Sequence, residues 1–150
     1  MIDVADVREI SVGRELAVSD WIAVTQSRID TFADATDDHQ WIHVDAARAA
    51  RESPYGAPIA HGFLTLSLVP AMLRSAVRLP NIPMAINYGV NRVRFVSPVS
   101  AGARIRGRFT ALAVAARTDG VDVTWAVSVE REHGDKPCCV AEWIVRYYLT

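Results

Sequence analysis

The sequence predicts an α+β domain in which a mostly antiparallel sheet wraps around one long apolar helix. Three observations carry that expectation. From about His61 to Arg78 the chain is apolar nearly all round, with Phe63, Leu64, Leu66, Leu68, Ala71, Met72 and Ala76 leaving little polar circumference. A helix of that kind belongs inside a fold rather than on its surface. Val121, Val123, Trp125, Val127 and Val129 alternate with Asp122, Thr124, Ala126 and Ser128, the period of a strand with one buried face. After the long apolar run, the rest of the chain reads as strands joined by tight turns.

The elements follow in order. Residues 1–18 are weakly patterned and read as a loose N-terminal arm. Trp21 to Thr25 suits a short strand. Thr25 then N-caps a helix reaching about Ala35, with Ile29, Phe32 and Ala33 on one face. Residues 36–44 read as a loop, and Asp45 as the N-cap of a short helix from Ala46 to about Arg51. Ser53-Pro54-Tyr55-Gly56-Ala57-Pro58 is turn-rich. Pro70 lies inside the long helical run and should kink or split it. Strands are expected over residues 84–96, 103–117 and 138–149, besides the alternating one. Thr118-Asp119-Gly120 closes a hairpin, because Asp-Gly suits tight turns. The whole chain, residues 1–150, fits one domain. Its antiparallel sheet leaves edges that a second copy can pair, so a homodimer is expected.

Composition narrows the function. Hydrophobic residues make up 51% and charged residues 22%, an ordinary globular balance. A net charge of −1 gives no electrostatic basis for binding nucleic acid or an anionic membrane surface. The N-terminus lacks the basic region and apolar core of a signal peptide, and no run reaches the ~18 apolar residues of a spanning helix. The expected location is cytoplasmic. Cys138 and Cys139 are adjacent and point to opposite faces of a strand, so they read as buried thiols rather than a disulfide.

The tract Ala35-Thr36-Asp37-Asp38-His39-Gln40-Trp41-Ile42-His43 carries the chemistry. A carboxylate, Asp38, and an imidazole, His43, stand five positions apart between two helices. One can take a proton and the other give one, as the addition or removal of water at an activated double bond requires. On spacing alone these residues also suit simple loop punctuation. His39, His43 and Asp38 have thinkable metal-ligand spacing, but further ligands do not stand out, so no metal is expected. A second marker, Pro58-Ile59-Ala60-His61-Gly62, opens the long helix.

These two tracts, in this order, resemble the MaoC-like family of (R)-specific enoyl-CoA hydratases, nearest its nodulation-protein-N-like, actinobacterial branch. That family's motif runs Gly-Asp, any residue, Asn-Pro, an aliphatic residue, then His. Asp38, Ile42 and His43 match in register, and Ile59-Ala60-His61-Gly62 matches the aliphatic-small-His-Gly that starts the central helix. Gln40 and Trp41 replace the usual Asn and Pro. Asp37 replaces a glycine that serves a turn with positive φ, which leaves Asp37 as an alternative partner for His43.

The resemblance implies a hot-dog fold and a hydro-lyase without a cofactor, coenzyme A being part of its acyl thioester substrate. A water between Asp38 and His43 adds to the β-carbon of a trans-2-enoyl-CoA, giving an (R)-3-hydroxyacyl-CoA. Charge then builds on the thioester oxygen. The backbone N–H of Gly62, at the positive end of the central helix, is the candidate donor. Gln40, His61 and Asn87 are further substrate-binding candidates, His61 with a structural alternative and Asn87, with Tyr88, as possible lining of the acyl tunnel. Arg92, Arg94, Arg104, Arg106 and Arg108 read either as a solvated outer face or as contacts to coenzyme A phosphates. Alternatives to the hydratase are a 3-hydroxyacyl-thioester dehydratase on acyl carrier protein, a thioesterase of the same fold, and a non-catalytic acyl-CoA-binding subunit.

Overall fold

The computed structural model describes residues 1–149. Its elements, in chain order, are β1 (Ile2–Asp3), a 3-10 turn (Val7–Glu9), β2 (Glu15–Val18), β3 (Ile22–Ala23), α1 (Gln26–Thr36), α2 (Trp41–Val44), α3 (Ala46–Glu52), α4 (Gly62–Ser67), α5 (Val69–Ala76), β4 (Val77–Arg78), β5 (Met84–Arg94), β6 (Arg104–Ala116), β7 (Gly120–Arg131) and β8 (Pro137–Tyr148). The main sheet runs β2-β6-β7-β8-β5, with β3 also on β6. Its pairings are all antiparallel, and β1 forms a small parallel pair with β4. An antiparallel sheet packed against α4 and α5 is the hot-dog architecture that the resemblance implies.

Local signals account for the element ends. Thr25 Oγ1 accepts from the Arg28 N–H at 3.2 Å and starts α1. Asp45 Oδ1 accepts from the Arg48 N–H at 2.9 Å and starts α3. The β7 alternation is realised: Val121, Val123, Trp125, Val127 and Val129 are all buried. Trp125 meets Phe109 of β6 edge to face, centroids 6.3 Å apart. Met72 and Val69 of α5 join that core, whose other wall is the β6–β8 face. Gly107 on β6 lets the helix come close, because a Cβ there would lie 3.2 Å from the Met72 sulfur.

Three expectations need correction. Residues 1–18 are not a loose arm: β1 pairs β4, β2 pairs β6, and Val7, Ile10 and Ala17 are buried in the core. Periodicity could not show this, because the stretch is anchored through short, irregular pieces. Residues 36–44 are not all loop, since Trp41–Val44 forms one helical turn, too short to give a periodic signal. The central run does not reach Arg78 as one helix: it splits, as Pro70 led one to expect, but at Leu68, and it ends at Ala76, before β4. Pro70 sits in the first turn of α5, where its missing N–H has no intrahelical partner to lose.

The arginines divide. Arg104, Arg106 and Arg108 share the face of β6 opposite buried Ile105, Gly107 and Phe109. They pair there with Glu132, Glu130 and Glu15, which matches a solvated outer face. Arg92 sits at positive φ where the β5–β8 register shifts, so it and Arg94 do not keep simple strand spacing. Among the described residues, no helix is long and apolar enough to cross a membrane.

Candidate active site

α1 ends at Asp37, which adopts the left-handed conformation (φ 56, ψ 22). The turn with positive φ is therefore present, and aspartate tolerates it better than most residues. It reverses the chain so that Asp38 to Gln40 lead into α2. Gln26 Nε2 donates to the His43 carbonyl at 2.8 Å and ties α1 to α2. The extended segment before α4 runs beside α2, with the Ile59 N–H donating to the Ile42 carbonyl at 3.0 Å.

This arrangement fixes His43. Its ring is buried, and Nδ1 lies 2.6 Å from the Ile59 carbonyl oxygen. A carbonyl only accepts, so Nδ1 carries the proton and Nε2 is left with a lone pair. Burial, the largest influence, pushes the imidazole below its ordinary value; the Ile59 bond opposes this, neighbouring His61 adds to it, and the Asp38 charge opposes it. His43 is therefore set up to be neutral and to accept a proton at Nε2.

Asp38 is exposed, and among the described residues the one hydrogen-bond contact to its carboxylate is a long 3.5 Å approach from the Gln40 N–H. Asp38, His43 and His61 each bring a potential ligand atom within 4.8 Å of the others. His61, not His39, therefore completes the cluster. His39 bonds Asp34 at 2.9 Å, which raises its imidazole above the ordinary value. Two imidazoles and a carboxylate are a donor set that a divalent metal accepts. Two of their nitrogens are already committed to backbone carbonyls, His43 Nδ1 to Ile59 and His61 Nε2 to Asp38.

Gly62 begins α4, and a cavity of about 240 Å³ is lined by His43, Tyr55, Gly62, Thr65, Phe95 and Cys138, among others. The Phe95 ring lies directly over Gly62, and an ideal Cβ there would fall 2.6 Å from it. Asn87 lies elsewhere. Its Oδ1 accepts from Trp143 Nε1 at 3.2 Å, and it lines a separate, about 350 Å³ cavity with Leu66, Ser67, Val69 and Trp143. Gln40 N-caps α2 without a side-chain capping bond and lines neither cavity. Tyr88 stands on exposed β5, under the Arg146 guanidinium. Both cysteines are buried free thiols, pushed up to about 11 by burial.

Sequence reading missed Thr65 and Phe95 in the cavity wall. Thr65 had a signal, since it stands one helical turn after Gly62 and shares its face. Phe95 reaches Gly62 only through tertiary folding, which no local pattern records.

The MaoC like domain family matches residues 8–133. A curated relative, 3-hydroxyacyl-thioester dehydratase Z of Mycobacterium tuberculosis, is 46% identical over 138 residues, covering 91% of each chain. Nodulation protein N of Rhizobium leguminosarum bv. viciae is 51% identical over 135 residues, 89% of this chain and 84% of the relative. Among solved structures, the R-hydratase PhaJ1 of Pseudomonas aeruginosa superposes with TM-score 0.75 at 24% identity, covering 95% of this chain and 84% of that one, a likeness of fold. With the hot-dog fold in place and the match spanning both the Asp38–His43 tract and the start of α4, the chain belongs to the MaoC-like dehydratase domain family of hydratases and dehydratases.

Proposed function

We propose that the protein is an (R)-specific enoyl-CoA hydratase working through Asp38 and His43. The observation that carries this reading is the pairing of the exposed Asp38 carboxylate with a buried imidazole whose Nε2 lone pair is free. No direct hydrogen bond joins the two side chains, yet they offer atoms within 4.8 Å of each other. A water bonded to both spans about 4.5 Å, so the gap suits a bridging nucleophile.

The water oxygen bonds to the β-carbon of a trans-2-enoyl thioester as the C=C π bond breaks. One water proton passes to the dyad, and one proton returns from it to the α-carbon. Negative charge moves onto the thioester oxygen, and the Gly62 N–H at the start of α4 faces it. His43 and Asp38 titrate as a coupled pair, so base and acid are properties of the pair. Asn87 and its cavity suit the far end of an acyl chain.

The same steps run backwards dehydrate a 3-hydroxyacyl thioester. The name of the Mycobacterium tuberculosis relative favours that direction as the second reading. We also propose a homodimer through β5. This edge strand is exposed along nearly its whole length and carries Met84, Ile86 and Tyr88 outward, an apolar edge that a second copy would cover.

The test is hydration of crotonyl-CoA, read as loss of conjugated-enoyl absorbance, with the product resolved by chiral chromatography. The reading expects turnover to the (R) product. A purely (S) product, or turnover confined to acyl-carrier-protein thioesters, would overturn it in favour of a different face or carrier. Light scattering expects a dimer, and a monomer at working concentration would remove the β5 interface.

A further inference from the structure

His61 has no part in the proton transfers above, yet three parts of the site meet at its side chain. It is the N-cap of α4, immediately before Gly62. The residue is 3% exposed. Nε2 lies 2.9 Å from the Asp38 carbonyl oxygen. The ring stacks on His43 with centroids 3.8 Å apart and planes 25° apart, and Phe32 tilts against it at 4.9 Å.

The proton positions follow from the acceptor. A carbonyl oxygen only accepts, so the His61 proton sits on Nε2. Nδ1 is then buried with no partner, which is unfavourable. A phenylalanine would fill the same space and keep the stack without that penalty. What histidine adds is the Nε2–H. It reaches the backbone of the one residue in the dyad that little else holds, since the Asp38 carboxylate is exposed and its single long contact comes from Gln40.

We propose that His61 is a positioning residue: its Nε2–H bond to the Asp38 carbonyl and its stack on the His43 ring together set the spacing of the dyad, and it offers nothing to the substrate. The inference rests on the Asp38–His43 reading of the site. It reassigns His61 from the substrate-binding set, because its one donor is already committed.

The experiment compares His61→Gln, His61→Asn and His61→Phe. The glutamine amide nitrogen lies as many bonds from Cα as Nε2 and keeps the donor without the ring. Asparagine places its nitrogen one bond short, and phenylalanine keeps the ring without a donor. With enoyl-CoA substrate, kcat is expected to fall about tenfold in His61→Gln and about 10²-fold in the other two, KM staying within about threefold, as for a misplaced reacting group. Equal kcat losses in all three, or a raised KM at unchanged kcat, would overturn the proposal. Amide hydrogen exchange over residues 38–40 reads the tie without turnover. Exchange should quicken in His61→Asn and His61→Phe but not in His61→Gln, and equal exchange in all four proteins sinks the tie. If the wild type turns over no enoyl thioester while this exchange pattern holds, the proposed function fails and the tie stands.

Discussion

Gly62→Ala adds one carbon where Phe95 leaves no room. The new Cβ would lie 2.6 Å from Phe95 Cδ2, 2.7 Å from Cγ and 2.8 Å from Cε2. Carbon atoms prefer about 3.5–4.0 Å, so the ring must retreat by about 1 Å. Gly62 does not stand at positive φ, so alanine meets no backbone strain. Alanine also favours a helix over glycine by up to about 1 kcal/mol. Against this, Phe95 loosens its edge-on contact with Phe63, now at 5.8 Å, and such pairs contribute about 0.5–1.5 kcal/mol. The two effects nearly offset. Phe95 is 44% exposed and has space to move, so Tm should change by less than about 4 °C.

Activity should respond differently. Phe95 and Gly62 line the same cavity as His43, and a shift of about 1 Å in a group beside the reacting atoms lowers the rate by about 10²-fold. The assay is kcat/KM for enoyl-CoA hydration beside thermal unfolding. Removing the ring as well, in Gly62→Ala/Phe95→Ala, should recover about tenfold of the lost kcat/KM by relieving that displacement. Wild-type turnover in a normally stable Gly62→Ala would refute the placement of substrate against the start of α4. Loss of the fold would refute the claim that the ring is free to move.

Further predictions follow from the same geometry. Catalysis needs neutral His43, and burial holds its imidazole down, so the acid limb of kcat should fall below the ordinary imidazole value of about 6.5. The stability effect has the same sign. On acidification the unfolded chain takes this proton first, so the contribution of His43 is intact above the unfolded value and is lost as pH falls towards the folded one. Urea midpoints from about pH 7.5 down to about pH 5 should decline less in His43→Gln than in wild type. Asp37→Gly should keep full activity and gain up to about 1 kcal/mol, since glycine adopts the left-handed turn freely; loss of turnover would make Asp37 the carboxylate of the dyad. Ile29→Ala, at a fully buried position on the inner face of α1, should destabilise the fold by about 2–5 kcal/mol in denaturant titration.

Much of this was legible in the sequence where the signal is local. Thr25 and Asp45 announced their helices through side-chain caps, and the β7 alternation announced its buried face. Asp37 could be read as a turn at positive φ only through the family resemblance, which sets it against a glycine. What was hidden is non-local. The first 18 residues show no sustained period, because short, irregular pieces of them pair with strands far along the chain. The single turn of α2 is shorter than any helical repeat. Asn87 was read as lining an acyl tunnel, but the cavity it faces was hidden, since only the fold brings Trp143 to bond it and Leu66, Ser67 and Val69 to stand beside it. The stack of His61 on His43 joins residues 18 positions apart, and only the fold of α4 against α2 creates it.

The most direct measurement is crotonyl-CoA hydration by wild type, Asp38→Asn and His43→Gln, each checked for folding by thermal unfolding. The account predicts rapid wild-type turnover to the (R)-3-hydroxy product and a loss of about 10²–10⁴-fold in kcat for each variant, with the fold intact. Full activity in either variant would contradict the dyad.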